Sequence, residues 1–256
     1  MSPYSRFGAL AVASSGPGAS RPARPPGRLR AGLRTLRRDG LVAIARSVGS
    51  RIRQRAWVTE THVWYEVAPD GASQSRQLPM ETSLFTGDAS HIHLLEALPT
   101  EVTEREARRR LAEGAELWLV TRAGEPLFAC WLFRDSAPLL GAPGGELQLP
   151  EGVVVVEDVA TAEHHRGKGI APAALATIAR RMDRRHTRRL LAKVERGNRA
   201  SRRAFRKAGF RAVAHMHRRE RGPFTAVQID GSPEHGAARL LTKRLDPGSA
   251  AGWVDG

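Results

Sequence analysis

Residues 166–171 read Arg-Gly-Lys-Gly-Ile-Ala, and sequence suited to a helix begins directly after them at Pro172. Glycine adopts positive φ without steric cost, so Gly167 and Gly169 let successive backbone N–H groups point into one concavity. A helix N-terminus beside them adds about half a positive charge, and Arg166 and Lys168 add whole ones. That combination suits a pyrophosphate, each charge-assisted hydrogen bond contributing about 1.5–3 kcal/mol. The spacing is neither that of a P-loop nor G-x-G-x-x-G; it reads R-x-x-G-x-A. In a chain this rich in arginine, glycine and alanine the bare string is expected about once by chance, so its weight comes from its setting. Just upstream stand two carboxylates, Glu157 and Asp158, either of which could take a proton as general base. Side chains alternate along a strand, so only one of the two is expected to face a substrate groove. Glu157 is the first choice. The other reading has one of these carboxylates capping, or pairing with Arg166 or a neighbouring arginine.

The elements that must hold these residues can be read around them. Val153–Val156 has the composition of a strand covered on both faces. After the glycine turn, Leu175, Ile178, Ala179 and Met182 mark one face of a helix, with Pro172 suited to its first turn. A strand at Leu190–Val194 and a helix from Asn198 to Ala208, closed by Gly209, come next. Arg211–His217 and Thr225–Ile229 read as strands, and Leu240–Lys243 as a last one. Upstream, His62–Val67 has strand composition and ends at the turn Pro69-Asp70-Gly71. Thr103–Glu106 is a capping-box pattern whose helix stops at Gly114. Leu117–Thr121 and Leu127–Phe133 flank a hairpin turn, and Gly141–Gly152 reads as a loop. The pattern gives an α/β or α+β domain with one central sheet.

The 256 residues carry a formal charge of +15, unevenly distributed. Residues 1–56 hold 12 arginines against Asp39, and residues 180–221 hold 17 Arg and Lys against Asp183, Glu195 and Glu220. The remainder is acidic. With 41% hydrophobic residues the chain can bury a core. The single cysteine, Cys130, excludes a disulfide scaffold and a multi-cysteine metal site, and its apolar strand makes it a buried, inert thiol. No apolar run reaches the roughly 18 residues of a spanning helix. Phe7–Ala13 is too short and too rich in alanine and glycine for a signal peptide. Arginine over lysine, with abundant Ala, Gly and Pro, points to a GC-rich bacterial source and a cytoplasmic protein. His91/His93 and His215/His217 lack a third ligand, so no metal is expected.

Four segments follow. Residues 1–27 are a disordered Pro/Gly-rich tail, and 28–57 a basic amphipathic helical segment broken near Gly40. Residues 58–246 are the globular domain, and 247–256 a C-terminal tail. The basic segment suits docking on its own domain or an anionic membrane or partner contact at residues 28–56. Nucleic acid is not the expected partner, because no aromatic interleaving or recognition motif accompanies the arginines. Oligomeric state is not legible.

Val154–Ala171 (V-V-V-E-D-V-A-T-A-E-H-H-R-G-K-G-I-A) and Asn198–Phe210 (N-R-A-S-R-R-A-F-R-K-A-G-F) together resemble the GNAT-type N-acetyltransferases in order, spacing and expected secondary structure. The resemblance covers about Leu117 to Val227 and weakens towards residue 61. It implies acetyl-CoA as co-substrate, without a metal, and an amine of a small molecule or peptide as acceptor. Backbone groups at Val159 and Thr161 would hold the pantetheine and the thioester carbonyl. Arg166 and the N–H groups of Gly167, Lys168, Gly169, Ile170 and Ala171 would hold the pyrophosphate, His164 and His165 forming at most the cradle wall. Asn198 would contact the pantetheine arm, with Phe205 beside it. Family members often carry a tyrosine acid where Phe205 stands, and phenylalanine has no proton to give. The alternative reading is therefore a catalytically idle GNAT-like protein that binds CoA in a regulatory or scaffold role. Acceptor specificity is expected in residues 61–100 and 215–240.

Overall fold

The computed structural model describes residues 58–246 apart from 141, 222–223 and 233–234. The expected tail 1–27, the basic segment 28–57 and the tail 247–256 lie outside the described residues. The strands are β1 (Val58–Val67), β2 (Thr82–Gly87), β3 (Glu116–Arg122), β4 (Glu125–Phe133), β5 (Ser136–Pro138), β6 (Glu146–Gln148), β7 (Val153–Thr161), β8 (Arg189–Glu195), β9 (Arg211–Arg221) and β10 (Phe224–Gly231). The α-helices are α1 (Glu104–Ala112), α2 (Ile170–Arg181), α3 (Arg199–Ala208) and α4 (Gly236–Leu245). Eight strands form one sheet in the order β10-β9-β1-β8-β7-β4-β3-β2, while β5 and β6 pair separately.

Every neighbouring pair in the large sheet is antiparallel except β7 and β8. That one parallel pair needs a crossover, and α2 supplies it. Two apolar layers sandwich the sheet. On one face, Val154, Val156, Tyr65 and Leu132 pack with Leu175 and Ile178 of α2 and Phe205 of α3. On the other, Val155, Trp131, Leu191 and Trp64 pack with Ala107 of α1 and Leu241 of α4. Val153–Val156 of β7 are at most 6% exposed, as a strand covered on both faces must be. This is the α+β (α/β-like) architecture, a central mixed and mostly antiparallel sheet flanked by helices, that the GNAT resemblance implies.

Local signals hold with three differences. The N-cap of α1 is Thr103, whose Oγ1 accepts from the Glu106 N–H at 3.3 Å. The reciprocal half of the capping box is missing because the Glu106 carboxylate accepts from Arg109 and Arg110 instead. Leu240–Lys243, expected as a strand, lies inside α4; buried Ala237, Ala238, Leu241, Thr242 and Leu245 follow helical spacing. Four residues were too short a window to show that period. The expected loop Gly141–Gly152 contains a 3₁₀ turn at Pro143–Gly145 and the strand β6. Strand β2 and the 3₁₀ segment Ala89–Ala97 gave no signal of their own in the sequence.

Gly209 closes α3 at φ +103°, and a Cβ there would lie 2.7 Å from the Gly71 carbonyl oxygen and 2.8 Å from the Ser73 nitrogen. Both obstacles are backbone, and the Ser73 N–H donates to Ala208 beside them. Gly209→Ala is expected to lower stability by about 2–3 kcal/mol, read from the denaturant midpoint.

Candidate functional site

Strands β7 and β8 run side by side only from Val153↔Arg189 to Val156↔Ala192. Beyond that pair they share no ladder, and β7 continues to Thr161 on β4 alone. The divergence coincides with a β-bulge: Asp158 and Val159 stand between Glu157↔Trp131 and Ala160↔Ala129, opposite the single residue Cys130. Asp158 takes φ +49°, a conformation that aspartate tolerates better than most residues.

A cleft of about 580 Å³ opens at this divergence. Its walls include Val159 and Thr161 from β7, and Arg166, Gly167, Gly169, Ile170 and Ala171 from the turn into α2. Asn198 and Phe205 line its α3 side. Of the ten residues that the sequence nominated for a cofactor, Lys168 alone is not on that wall. Sequence reading had not nominated Ser201, Arg203 or Lys207, which also line it. Arg203 and Lys207 stand four apart on α3, so helical spacing from Asn198 was the available signal.

The turn into α2 has the geometry of an anion cradle. Gly167 and Gly169 have φ of +77° and +86°, and a Cβ at either would meet nothing within 4 Å. No side chain caps α2, whose N-cap is Gly169. The first helical N–H groups thus lack a side-chain acceptor at the end that attracts anions. Arg166 lies 3.5 Å from Glu163, and neither catalytic candidate is its partner. Asn198 caps α3, its Oδ1 accepting from the Ser201 N–H at 3.0 Å, which leaves its amide NH2 as the group it can offer a ligand. Phe205 is 2% exposed, its ring stacked on Tyr65 at 6.1 Å and set edge-on to Phe210 at 5.0 Å. The buried Tyr65 hydroxyl behind it accepts from Arg202 Nε at 3.3 Å.

A second, smaller cleft of about 200 Å³ adjoins the first, and both are lined by Val159, Asn198, Ser201 and Phe205. Glu157, Asp158, Lys193 and Glu195 border it. Strict alternation was expected to bring only one of Glu157 and Asp158 to this side. The bulge removes that restriction, and both lie on the α1 side of the sheet. Asp158 is ion-paired, its carboxylate accepting from Arg110 at 2.5 Å. Arg110 is 8% exposed, stands 5.4 and 5.5 Å over the Trp131 and Phe133 rings, and also holds Glu106. The pairing of one carboxylate that sequence suggested for Arg166 or a neighbour thus involves Arg110, 48 residues upstream.

Glu157 differs from Asp158. Removal from water pushes its pKa up to about 7, the nearby Asp158 carboxylate adds to the rise, and Lys193 and Arg110 oppose it. A carboxylate poised near neutrality is suited to accept a proton from an amine. Other candidates have local roles. His91 pairs with Asp88 at 2.9 Å, and His217 lies between Thr61 and Asp230. Cys130 is buried, which raises its thiol pKa. Among the described residues no group of three or more His, Cys, Asp or Glu is placed to hold a metal ion.

Residues 89–210 match the model of the acetyltransferase (GNAT) family. That stretch, a little under half of the chain, is thus similar to the acetyltransferases of the GNAT family. Similar solved structures include GCN5-related N-acetyltransferases from Sphaerobacter thermophilus (18% identity, 68% of this chain, 56% of that one, TM-score 0.46) and Kribbella flavida (17%, 71%, 62%, 0.45). A GNAT-family acetyltransferase from Colwellia psychrerythraea is 14% identical over 69% of this chain and 57% of its own, with TM-score 0.44. The chain thus spans less than two thirds of the length of each. No curated protein matches it.

Two predictions follow from this geometry. Gly169→Glu meets open space, so its folding cost is limited to about 1 kcal/mol of backbone strain, yet it puts a negative charge in the cradle. It is expected to eliminate acetyl-CoA binding in calorimetry while the thermal midpoint stays within a few degrees of wild type. For Glu157, the folded-state pKa of about 7 exceeds the ordinary 4.5, so the native state holds an extra proton between those values and stability falls as pH rises through them. Glu157→Gln is expected to exceed wild type in stability by about 2 kcal/mol at pH 8 and to match it at pH 4, read from denaturant midpoints.

Proposed function

We propose that the protein transfers the acetyl group of acetyl-CoA to a primary amine of a small molecule or peptide by direct attack on the thioester. The observation that carries this reading is the meeting of an uncapped glycine cradle with a small cleft holding a carboxylate tuned to about pH 7. The N–H groups of Gly167, Lys168, Gly169, Ile170 and Ala171, with Arg166, hold the pyrophosphate. Val159 and Thr161 pair through their backbone with the amide-rich pantetheine, as a strand edge pairs with a peptide. A backbone N–H at the bulge donates to the thioester oxygen as charge develops on it. Asn198 and the Phe205 ring flank the arm.

Glu157 is the base and takes the ammonium proton, while Asp158, held by Arg110, keeps the bulge in shape. Residues 58–246 form the catalytic domain. The basic segment 28–56 is free in this reading to meet an anionic membrane surface or a partner. The compositional case is for a bacterial, cytoplasmic protein; among the described residues no helix is long and apolar enough to cross a membrane.

One observation favours a second reading, a CoA-binding protein without turnover. The ring at 205 has no proton, and the adjacent Tyr65 hydroxyl is buried and engaged with Arg202. Free CoA release measured against an amine panel separates the two; binding without turnover on any amine would remove the enzyme reading. In the active protein, kcat/KM is expected to rise through about pH 7. Glu157→Gln is expected to lower it by about 10²–10⁴-fold and to flatten that rise, with acetyl-CoA affinity retained.

A further inference from the structure

Lys193 is the residue of the inner cleft whose presence the reaction as described leaves unaccounted for. It follows the last parallel pair of β7 and β8, is half-buried, and borders the cleft with Glu157 and Phe205. Lysine is rarely buried without an ion-pair partner. Among the described residues no ion pair within 4.0 Å involves Lys193. The groups that face it are few. Glu157 on β7 is the nearer carboxyl influence, with Asp158 beyond it already committed to Arg110 of α1. On β8 itself Glu195 shares the face. On β1, Trp64 is opposite Lys193, and His62 opposite Glu195. Burial, and after it the Lys193 charge, lower the His62 pKa. Glu60 is taken by Arg218. The ammonium therefore borders the cleft with no carboxylate in ion-pair contact with it among the described residues.

Resting on the acetyl-transfer reading, we propose that Lys193 is the electrostatic partner of the CoA thiolate as it leaves. A ligand with its pyrophosphate at Gly167–Ala171 and its arm along Val159 ends where the two clefts join, which puts its sulfur beside Lys193. In the step, the amine nitrogen bonds to the carbonyl carbon, its proton passes to Glu157, and the carbon–sulfur bond breaks with its electron pair on sulfur. A lysine ammonium is ordinarily a weaker acid than a thiol, about 10.4 against about 8.5. Lys193 acts on the sulfur anion through its charge. No hydroxyl acid is then needed at position 205.

The test needs no acceptor amine. CoA and desulfo-CoA, which lacks the thiol, are bound to the full chain between pH 6.5 and 9.5, with thiolate followed by its ultraviolet absorbance. In wild type the bound thiol is expected to ionise at least about one pH unit below free CoA, so the preference for CoA over desulfo-CoA rises about tenfold across the range. Lys193→Met loses that rise and Lys193→Arg keeps it. Desulfo-CoA affinity, equal in all three, shows that the fold and the cradle are intact. A bound thiol that ionises as in free solution, or one unaffected by Lys193→Met, overturns this inference and leaves the acetyl-transfer reading standing. Failure of wild type to bind CoA overturns both.

Discussion

Two residues of β7, Asp158 and Val159, occupy the space opposite one residue of β4, and the ion pair from Asp158 to Arg110 holds them there. A strand that carried no extra residue could keep its register with β8 past Val156, and the sheet would close. The bulge bends β7 instead, and both clefts lie along the resulting divergence. It also places two consecutive carboxylates on one side of the sheet, which a regular strand cannot do. The lining of both clefts along β7 takes its position from this one irregularity.

Its maintenance falls to Arg110. A nearly buried guanidinium in contact with two carboxylates and two aromatic rings is fixed by more groups than it needs for charge balance. Removing one partner of such a pair leaves a charge stranded in low dielectric, so the contact constrains geometry more than it adds stability. The division of labour between the two carboxylates follows. Asp158 is anchored by Arg110, whereas Glu157, without an ion pair among the described residues, is dominated by desolvation, which Lys193 and Arg110 only partly offset. Neighbouring carboxyl side chains acquire different surroundings from where the chain puts them.

The sequence shows the cradle because glycine, proline and charge signals are local: positive φ at Gly167 and Gly169 and the helix from Ile170 follow from six adjacent residues. The valine run and the α2 stripe are likewise visible within one element. What stays hidden depends on distant partners. The Asp158–Arg110 pair spans 48 residues, and the bulge shows only against the register of β4. Alternation, the rule that seemed safest on a strand, was the rule that failed, and it failed where the function is built. Lys193 looked like an ordinary member of the basic stretch 180–221. Its half-buried position comes from β1 and β7 closing on either side of β8. Part of that stretch does belong to the cleft, since Arg203 and Lys207 line it.

The strand order has a mechanical consequence. The sheet consists of two antiparallel halves, β10-β9-β1-β8 and β7-β4-β3-β2, stitched together by four residue pairs. Those four pairs are the shortest ladder in the sheet, against five to nine between other neighbours, and the clefts open at its end. A ligand seated there touches strand and helix residues on both sides at once and acts as a rivet between two half-domains. Occupancy would then set the stiffness of the whole sheet, so the protein's rigidity becomes a readout of how much ligand surrounds it.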